Sequence, residues 1–557
     1  METVSPTSQG AALSLRNGGQ ILVDGLRIHG VDTVFGVPGE SALPIFDALR
    51  GGENGVRFIV CRHEANGAHM AEADGKLRGA PGVCIVSRGP GAMHAAVGVH
   101  TAFQDSTPMI LIIGQVPRAH RGREAFQEMD YSRVFADMSK WAADIPNADS
   151  IPEYLSRAFH IATHGRPGPV VLSIPEDVLS DLSPVADAPA WKPVSAAPAV
   201  GTMARLRELL QAAHRPLVIV GGSGWTAEAA ADISAFCAAN DLPVVAGFRA
   251  QDIVDNRSPN YVGDLSLGSS PALTARVKAA DLLLVVGDRL GEVSTKAYGA
   301  LQVPDPSQTL IHVFPDPDEL GRVYNADLPI LSGMVDFAAQ LRDVAPLDPT
   351  HWSGWRREGR EAYEAFRKPP GKSAGFDLAK AILHLRERLP DDAIVTNGAG
   401  NYTIWLQRFF RFRTFRTQLA PKSGCMGYGL PAAIAAKLRF PDRVVVGLAG
   451  DGCFQMASPD FATAVHHKLP VVMIVVNNGA YGSIRAHQER HFPGRESGTV
   501  LTNPSFAALA HAYGVHGETI SDDADFPAAL ERALSAGVPA ILEIKMPGNH
   551  LTPDLII

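Results

Sequence analysis

The sequence predicts an α/β protein built from three doubly wound parallel-sheet domains, and three observations carry that reading. Short, nearly continuous apolar runs recur along the chain, each closing on Gly, Pro or Asn and each followed by a helical segment. Strands that are apolar on both faces belong to parallel sheets covered by helices on each side. The length of 557 residues leaves room for about three or four domains of roughly 150 residues each. Two stretches interrupt the alternation: Ser183 to Val200 is rich in Pro and Ala, and Val344 to Gly375 is rich in Pro, Trp and charge. Both read as linkers, so the expected domains are residues 1–185, 199–345 and 375–557.

The expected strands follow in order. The first domain carries Thr33 to Phe35, Arg57 to Val60, Val83 to Val86 and Met109 to Ile113. The second carries Leu217 to Val220, Leu282 to Val286 and Leu310 to Val313, and the third Ala393 to Thr396, Val444 to Leu448 and Val471 to Val476. Ligands of such sheets sit beyond the carboxyl ends of the strands.

Composition removes several classes of function. A formal charge of −8, from 50 basic and 58 acidic side chains, leaves no surplus of cations for a nucleic-acid backbone. The local run Arg408, Arg411, Arg413 and Arg416 reads as a solvated or interface face. Five scattered cysteines form no CxxC pair and no zinc-ligand spacing. No apolar run approaches about 18 residues, and the N-terminus lacks a basic segment followed by an apolar one. A cytoplasmic enzyme with no membrane or nucleic-acid partner is the expectation.

The strongest motif is Gly450-Asp451-Gly452, just after one expected strand, with Asn477-Asn478 directly after the next. Asn478 follows Asp451 by 27 residues, enough for one βαβ unit that returns both motifs to the same sheet edge. The intervening helix is expected to start at Ser458 as N-cap with Pro459 in first position and to bury Phe461, Ala462 and Val465. A carboxylate and an amide carbonyl are hard oxygen ligands of the kind magnesium takes. Asp-Gly alone is a common turn; the Asn pair at the end of the next strand is what turns the motif into a candidate site.

Two further segments carry chemistry. Arg62-His63-Glu64 opens an alanine-rich helix, where Glu64 is either a reactive acid or a partner of the helix dipole. Ser423-Gly424-Cys425-Met426-Gly427-Tyr428-Gly429-Leu430-Pro431 is a glycine-rich run whose Met426, taken alone, is core filler.

Together with Val86-Ser87-Arg88-Gly89-Pro90-Gly91-Ala92, these segments resemble the thiamine-diphosphate enzymes of the acetolactate synthase, pyruvate oxidase and benzaldehyde lyase group, over almost the whole chain. The resemblance implies Asp451, Asn478 and the backbone carbonyl of Ala480 as Mg2+ ligands. It implies cofactor contacts at Gly400, Asn401, Gly424, Met426, Gly450, Asp451, Gly452, Cys453, Asn478 and Gly482, with Met426 as the wedge under the two rings. Glu64 is then the acid that hydrogen-bonds the aminopyrimidine ring and promotes the ylid, which attacks a 2-oxo acid and yields an enamine. Phe126 and Gln127 match the substrate pocket, and His487 aligns with a substrate-selecting tryptophan, although it reads equally as a surface histidine.

The chain also departs from the group's pattern. Glu40 and Ser41 replace small residues, Arg88 stands at a serine position and Glu176 at a lysine position. A pocket holding His487, Arg485 and Glu40 would suit a more polar substrate. Val218 to Gly224 resembles a flavin-holding turn, but Gly263-Asp264-Leu265-Ser266-Leu267-Gly268 does not match its companion pattern, so FAD is left open. Because Glu64 and Asn478 lie 414 residues apart, the resemblance implies that two subunits share each site, in a homodimer or homotetramer. The expected activity is carboligation of small-molecule carbonyl substrates. A decarboxylase or carbon-carbon lyase of the same group is the alternative, and a non-catalytic cofactor-binding regulator is the alternative of another class.

Overall fold

A computed structural model describes residues 14–52, 55–371 and 375–557. The start of the expected first domain and most of the N-terminal stretch read for a targeting segment lie outside the described residues, as do positions 372–374 of the second expected linker.

Three six-stranded sheets, parallel throughout, form the body of the chain. The first holds Thr33–Gly36, Arg57–Val60, Gly82–Val86, Met109–Gln115, Trp141–Asp144 and Pro169–Pro175. With the strands of each sheet counted in chain order, they lie side by side as 2-1-3-4-6-5. The third sheet repeats that order with Ile394–Asn397, Gln418–Leu419, Val445–Gly450, Val471–Asn477, His516–Ile520 and Ala540–Lys545. The middle sheet, from Pro216–Val220 to Leu328–Leu331, runs 3-2-1-4-5-6. The shorter strands Val244–Ala246 and Gln418–Leu419 offer too few residues for an apolar run to declare itself.

The first and third sheets share a core. Helix Glu64–Arg78 packs on its own sheet and on helix Gly429–Arg439 of the third domain, so most of its surface is buried. Its small residues follow from that squeeze: a Cβ on Gly75 would lie 2.5 Å from the Pro108 carbonyl, and one on Gly98 of the neighbouring helix 2.4 Å from Ala68. The polar groups trapped there are paired. Glu72 accepts from Thr107 (2.7 Å) and Tyr428 (2.6 Å), and Arg439 bridges Asp32 (2.7 Å) and Asp74 (2.9 Å). No helix among the described residues is long and apolar enough to cross a membrane.

Two expectations need correction. The helix between the two candidate motifs is broken into Asp451–Gln455, a 3-10 turn at Ser458–Asp460 and Phe461–His466. Ser458 does not cap it; its hydroxyl donates back to the Gln455 carbonyl (3.2 Å). The buried face is Phe461, Thr463 and Ala464, because the turn rotates Asp460 inward against the first domain.

The second correction concerns the stretch from Val344 to Gly375, which contains helix Ser353–Phe366. Trp352 is fully buried in the middle domain and donates to the Asn240 carbonyl (3.0 Å), while Trp355 donates to Pro216 (3.0 Å). High charge masked an amphipathic pattern in which Trp352, Trp355, Gly359 and Tyr363 share one face. Trp352→Ala should therefore cost about 3–5 kcal/mol. An unchanged urea midpoint, followed by circular dichroism, would return this segment to the status of a loose linker.

Candidate active site

Strands Val445–Gly450 and Val471–Asn477 pair in a register that sets Gly450 beside Val476, so the chain leaves both at one edge. A cavity of about 250 Å³ opens there. Gly450, Asp451, Gly452 and Cys453 line it from the first strand end, and Asn478, Ala480 and Gly482 from the second. Gly400 and Asn401 come from the loop after Ile394–Asn397, and Gly424 and Met426 from the run before helix Gly429–Arg439. The third-domain residues that the sequence assigned to the cofactor or its metal thus border one space.

Asp451 is the electrostatic centre of this edge. Its side chain is buried, which pushes the carboxyl above the usual carboxylate range, while hydrogen bonds oppose the shift. One oxygen accepts from the Gly452 amide (2.9 Å); the other accepts from the Gly479 amide (2.9 Å) and from Asn503 Nδ2 (2.7 Å). Asn477 is held by Glu543 (2.7 Å), and Asn478 Oδ1 accepts from the Ala480 amide (3.2 Å). Asn503, Tyr402, Trp405 and His550 belong to the site without having been legible: Tyr402 and Trp405 lie on the helix that follows Asn401, while Asn503 and His550 arrive through long-range packing.

The donors present suit a metal-bound diphosphate. Among the described residues lining this cavity there is no Lys or Arg, so an anion entering it needs a cation of its own. The Asp451 carboxylate, the Asn478 amide oxygen and the Ala480 carbonyl form an all-oxygen set of the kind Mg2+ prefers. Asn401 Nδ2 is buried without a partner, while its Oδ1 accepts from Ser483 (2.9 Å). A Cβ on Gly452 would lie 2.5 Å from the Tyr481 ring, so the backbone passes where no side chain fits. Helices Asp451–Gln455 and Gly482–His491 both begin at the cavity, and their positive ends favour negative charge. Trp405, Met426, Met546 and Leu551 make the rest of the wall apolar.

Glu64, Phe126, Gln127 and His487 do not line this cavity. Glu64 opens helix Glu64–Arg78, and its Oε2 lies 2.8 Å from His94 Nδ1. The His63 ring, which accepts from the Ala65 amide (3.2 Å), faces His94 at 4.6 Å. Gln127 has φ +64°, and its carbonyl accepts from the Gly89 amide (3.1 Å). Phe126 beside it is 72% exposed. These residues form a second patch, on the first domain.

His487 is exposed on helix Gly482–His491, one turn beyond the cavity-lining Ile484, and its ring stacks with His491 at 6.5 Å. The single chain does not assemble the polar pocket of His487, Arg485 and Glu40, because Arg485 is paired with Glu496 and Glu40 lies on the first domain beside Arg88 (3.8 Å). Arg88 is also bound to Glu176, so three departures from the group's pattern form one ion cluster. The glycine turn at Gly222 and Ser223 lines a separate cleft of about 360 Å³ with Asp288, Arg289 and Lys422.

Comparison with known proteins agrees with this layout. Residues 16–134 match the N-terminal TPP binding domain of thiamine pyrophosphate enzymes, 203–341 their central domain and 398–544 their C-terminal TPP binding domain. The chain is 32% identical to the acetolactate synthase isozyme 2 large subunit of Escherichia coli over 538 residues, 95% of each chain. It is 33% identical over 543 residues to the acetolactate synthase large subunit of Parasynechococcus marenigrum, covering 95% of this chain and 87% of the relative. A probable acetolactate synthase large subunit of Methanocaldococcus jannaschii is 30% identical over 567 residues, with 96% and 94% covered. With three domain matches in order and similarity along nearly the full length, the chain belongs to the thiamine pyrophosphate enzymes, on their acetolactate-synthase-like branch.

Proposed function

We propose that this protein is a Mg2+-dependent thiamine-diphosphate carboligase that joins a decarboxylated 2-oxo acid to a second carbonyl compound. The observation that carries the reading is the cavity's chemistry: an all-oxygen ligand set, backbone amides and two helix starts, with no Lys or Arg among the described lining residues. Asp451, Asn478 and the Ala480 carbonyl would hold Mg2+. The backbone around Gly450, Gly452, Cys453 and Gly482 would hold the diphosphate, with Gly400 and Asn401 alongside. Met426 would support the rings, and the backbone of Gly424 would meet the pyrimidine. Thiamine diphosphate, when bound, supplies the carbon nucleophile and the electron sink of the reaction.

The chain's own residues do the rest. Asp451 fixes the cation, and the apolar wall of Trp405, Met546 and Leu551 limits water at the reacting carbon. Glu64 would exchange a proton with the ring nitrogen, and Phe126, Gln127 and His487 would contact the substrate. Glu64 and Asp451 of one chain do not share a cavity, so the acid would come from Glu64 of the partner subunit. A homodimer or homotetramer follows. The free cysteines Cys61, Cys84, Cys237 and Cys453 are buried thiols, which suits a reducing, cytoplasmic setting.

Three measurements test the reading. Asp451→Ala should weaken binding of thiamine diphosphate with Mg2+ by about 100-fold or more in calorimetry, and unchanged binding would remove the assigned metal site. With pyruvate as sole substrate, acetolactate should dominate the products; acetaldehyde instead would make the enzyme a decarboxylase. Light scattering of the active protein should give at least twice the mass of the 59.2 kDa chain, and full activity in a monomer would overturn the shared site.

A further inference from the structure

Asp460 lies nine positions after Asp451, in the turn Ser458–Asp460 that leads into helix Phe461–His466. Its side chain is fully buried, yet it faces the first domain rather than its own. Three donors converge on it. The Arg62 amide (2.8 Å) and the Thr463 hydroxyl (2.8 Å) reach one oxygen, and Asn66 Nδ2 (2.7 Å) reaches the other. Arg62 and Asn66 stand two residues before and two residues after Glu64. Thr463, also of the third domain, joins Asp460 at this junction, and its hydroxyl lies 3.3 Å from the Val60 carbonyl at the end of the preceding strand.

A buried carboxylate is costly unless its oxygens are hydrogen-bonded, and here each oxygen receives at least one donor. A carboxylate accepts from all three groups as they stand, whereas an asparagine amide would offer one accepting oxygen and oblige the Asn66 amide or the Thr463 hydroxyl to turn and accept from its NH2. The grip falls on the first turn of helix Glu64–Arg78, where a small rotation of the backbone would swing the Glu64 side chain. The Glu64 side chain is itself held by His94, which is 52% exposed at its side chain.

We propose that Asp460 is a positioning residue for Glu64: it clamps the Arg62–Asn66 turn from the third domain and so aims the acid. The proposal rests on the role of Glu64 given above. It also means that the segment bearing Asp451 and the turn bearing Glu64 move as one body within a chain, although the two residues would serve different sites of the dimer.

The test uses the protein loaded with Mg2+ and thiamine diphosphate. In Asp460→Asn, hydrogen exchange followed by mass spectrometry should speed up in peptides spanning 61–67 and stay unchanged in the middle domain. The kcat should fall about 10- to 100-fold, the size expected when a reacting group is misplaced by an ångström or less, with KM nearly constant. In a Glu64→Gln background the same substitution should cost nothing further. Independent losses that multiply, or unchanged exchange at 61–67, would overturn the proposal. Undiminished activity of Glu64→Gln alone would instead remove the role of Glu64, a failure separate from that of the clamp. Should Asp460→Asn not fold, Asn66→Ala removes one of the three bonds and should give the same pattern with a smaller loss, and its absence would count equally against the clamp.

Discussion

The pairing of Val445–Gly450 with Val471–Asn477 is the constraint on which the site depends. Parallel strands in this register end together, so two loops that are 27 residues apart in the chain open onto the same cavity. A slip of one residue would shift one loop by about 3.3 Å and reverse every side chain of the strand. The strands resist that slip because both of their faces are buried. The bond from the Gly479 amide to Asp451 (2.9 Å) then ties the two ends across the sheet edge.

A second constraint follows from placing helix Glu64–Arg78 between two domains. Enclosure on all sides selects alanine and glycine at the close contacts, and it obliges the remaining polar groups to pair. Asp74 illustrates the balance: burial raises its carboxyl, and Arg439 opposes that rise. The same guanidinium, hydrogen-bonded to the more open Asp32, holds that carboxyl down at about 2. The pairs therefore fix the angle at which the first domain meets the third, and the first turn of this helix carries Glu64.

The departures from the group's pattern acquire meaning only in three dimensions. Glu40, Arg88 and Glu176 come from three separate segments, yet Arg88 lies between the two acids with its side chain almost wholly buried. Arg88 also immediately precedes Gly89, whose amide is bound by the Gln127 carbonyl. The cluster therefore braces the patch that carries Phe126 and Gln127.

Much of this protein is written locally. Runs such as Leu282–Val286 and Met109 to Ile113 declare buried parallel strands because every residue in them is apolar. Gly450-Asp451-Gly452 and Asn477-Asn478 declare themselves because a turn at a strand end needs those residue types. Other features have no local signal. Helix Ser353–Phe366 is rich in charge, and only its docking on the middle domain shows why Trp352 and Trp355 are spaced as they are. The helix after Asp451 ends at Gln455, and the turn that follows carries Asp460 inward to donors of a distant domain. Asn503 reaches Asp451, and His550 the cavity wall, from segments with no motif at all. The sequence by itself determined the strands, the sheet class and the turn chemistry, since these depend on periodicity and backbone preference over a few residues. Tertiary structure alone decided which distant side chains share a cavity and which stay apart, because that depends on how buried polar groups on separate domains satisfy one another.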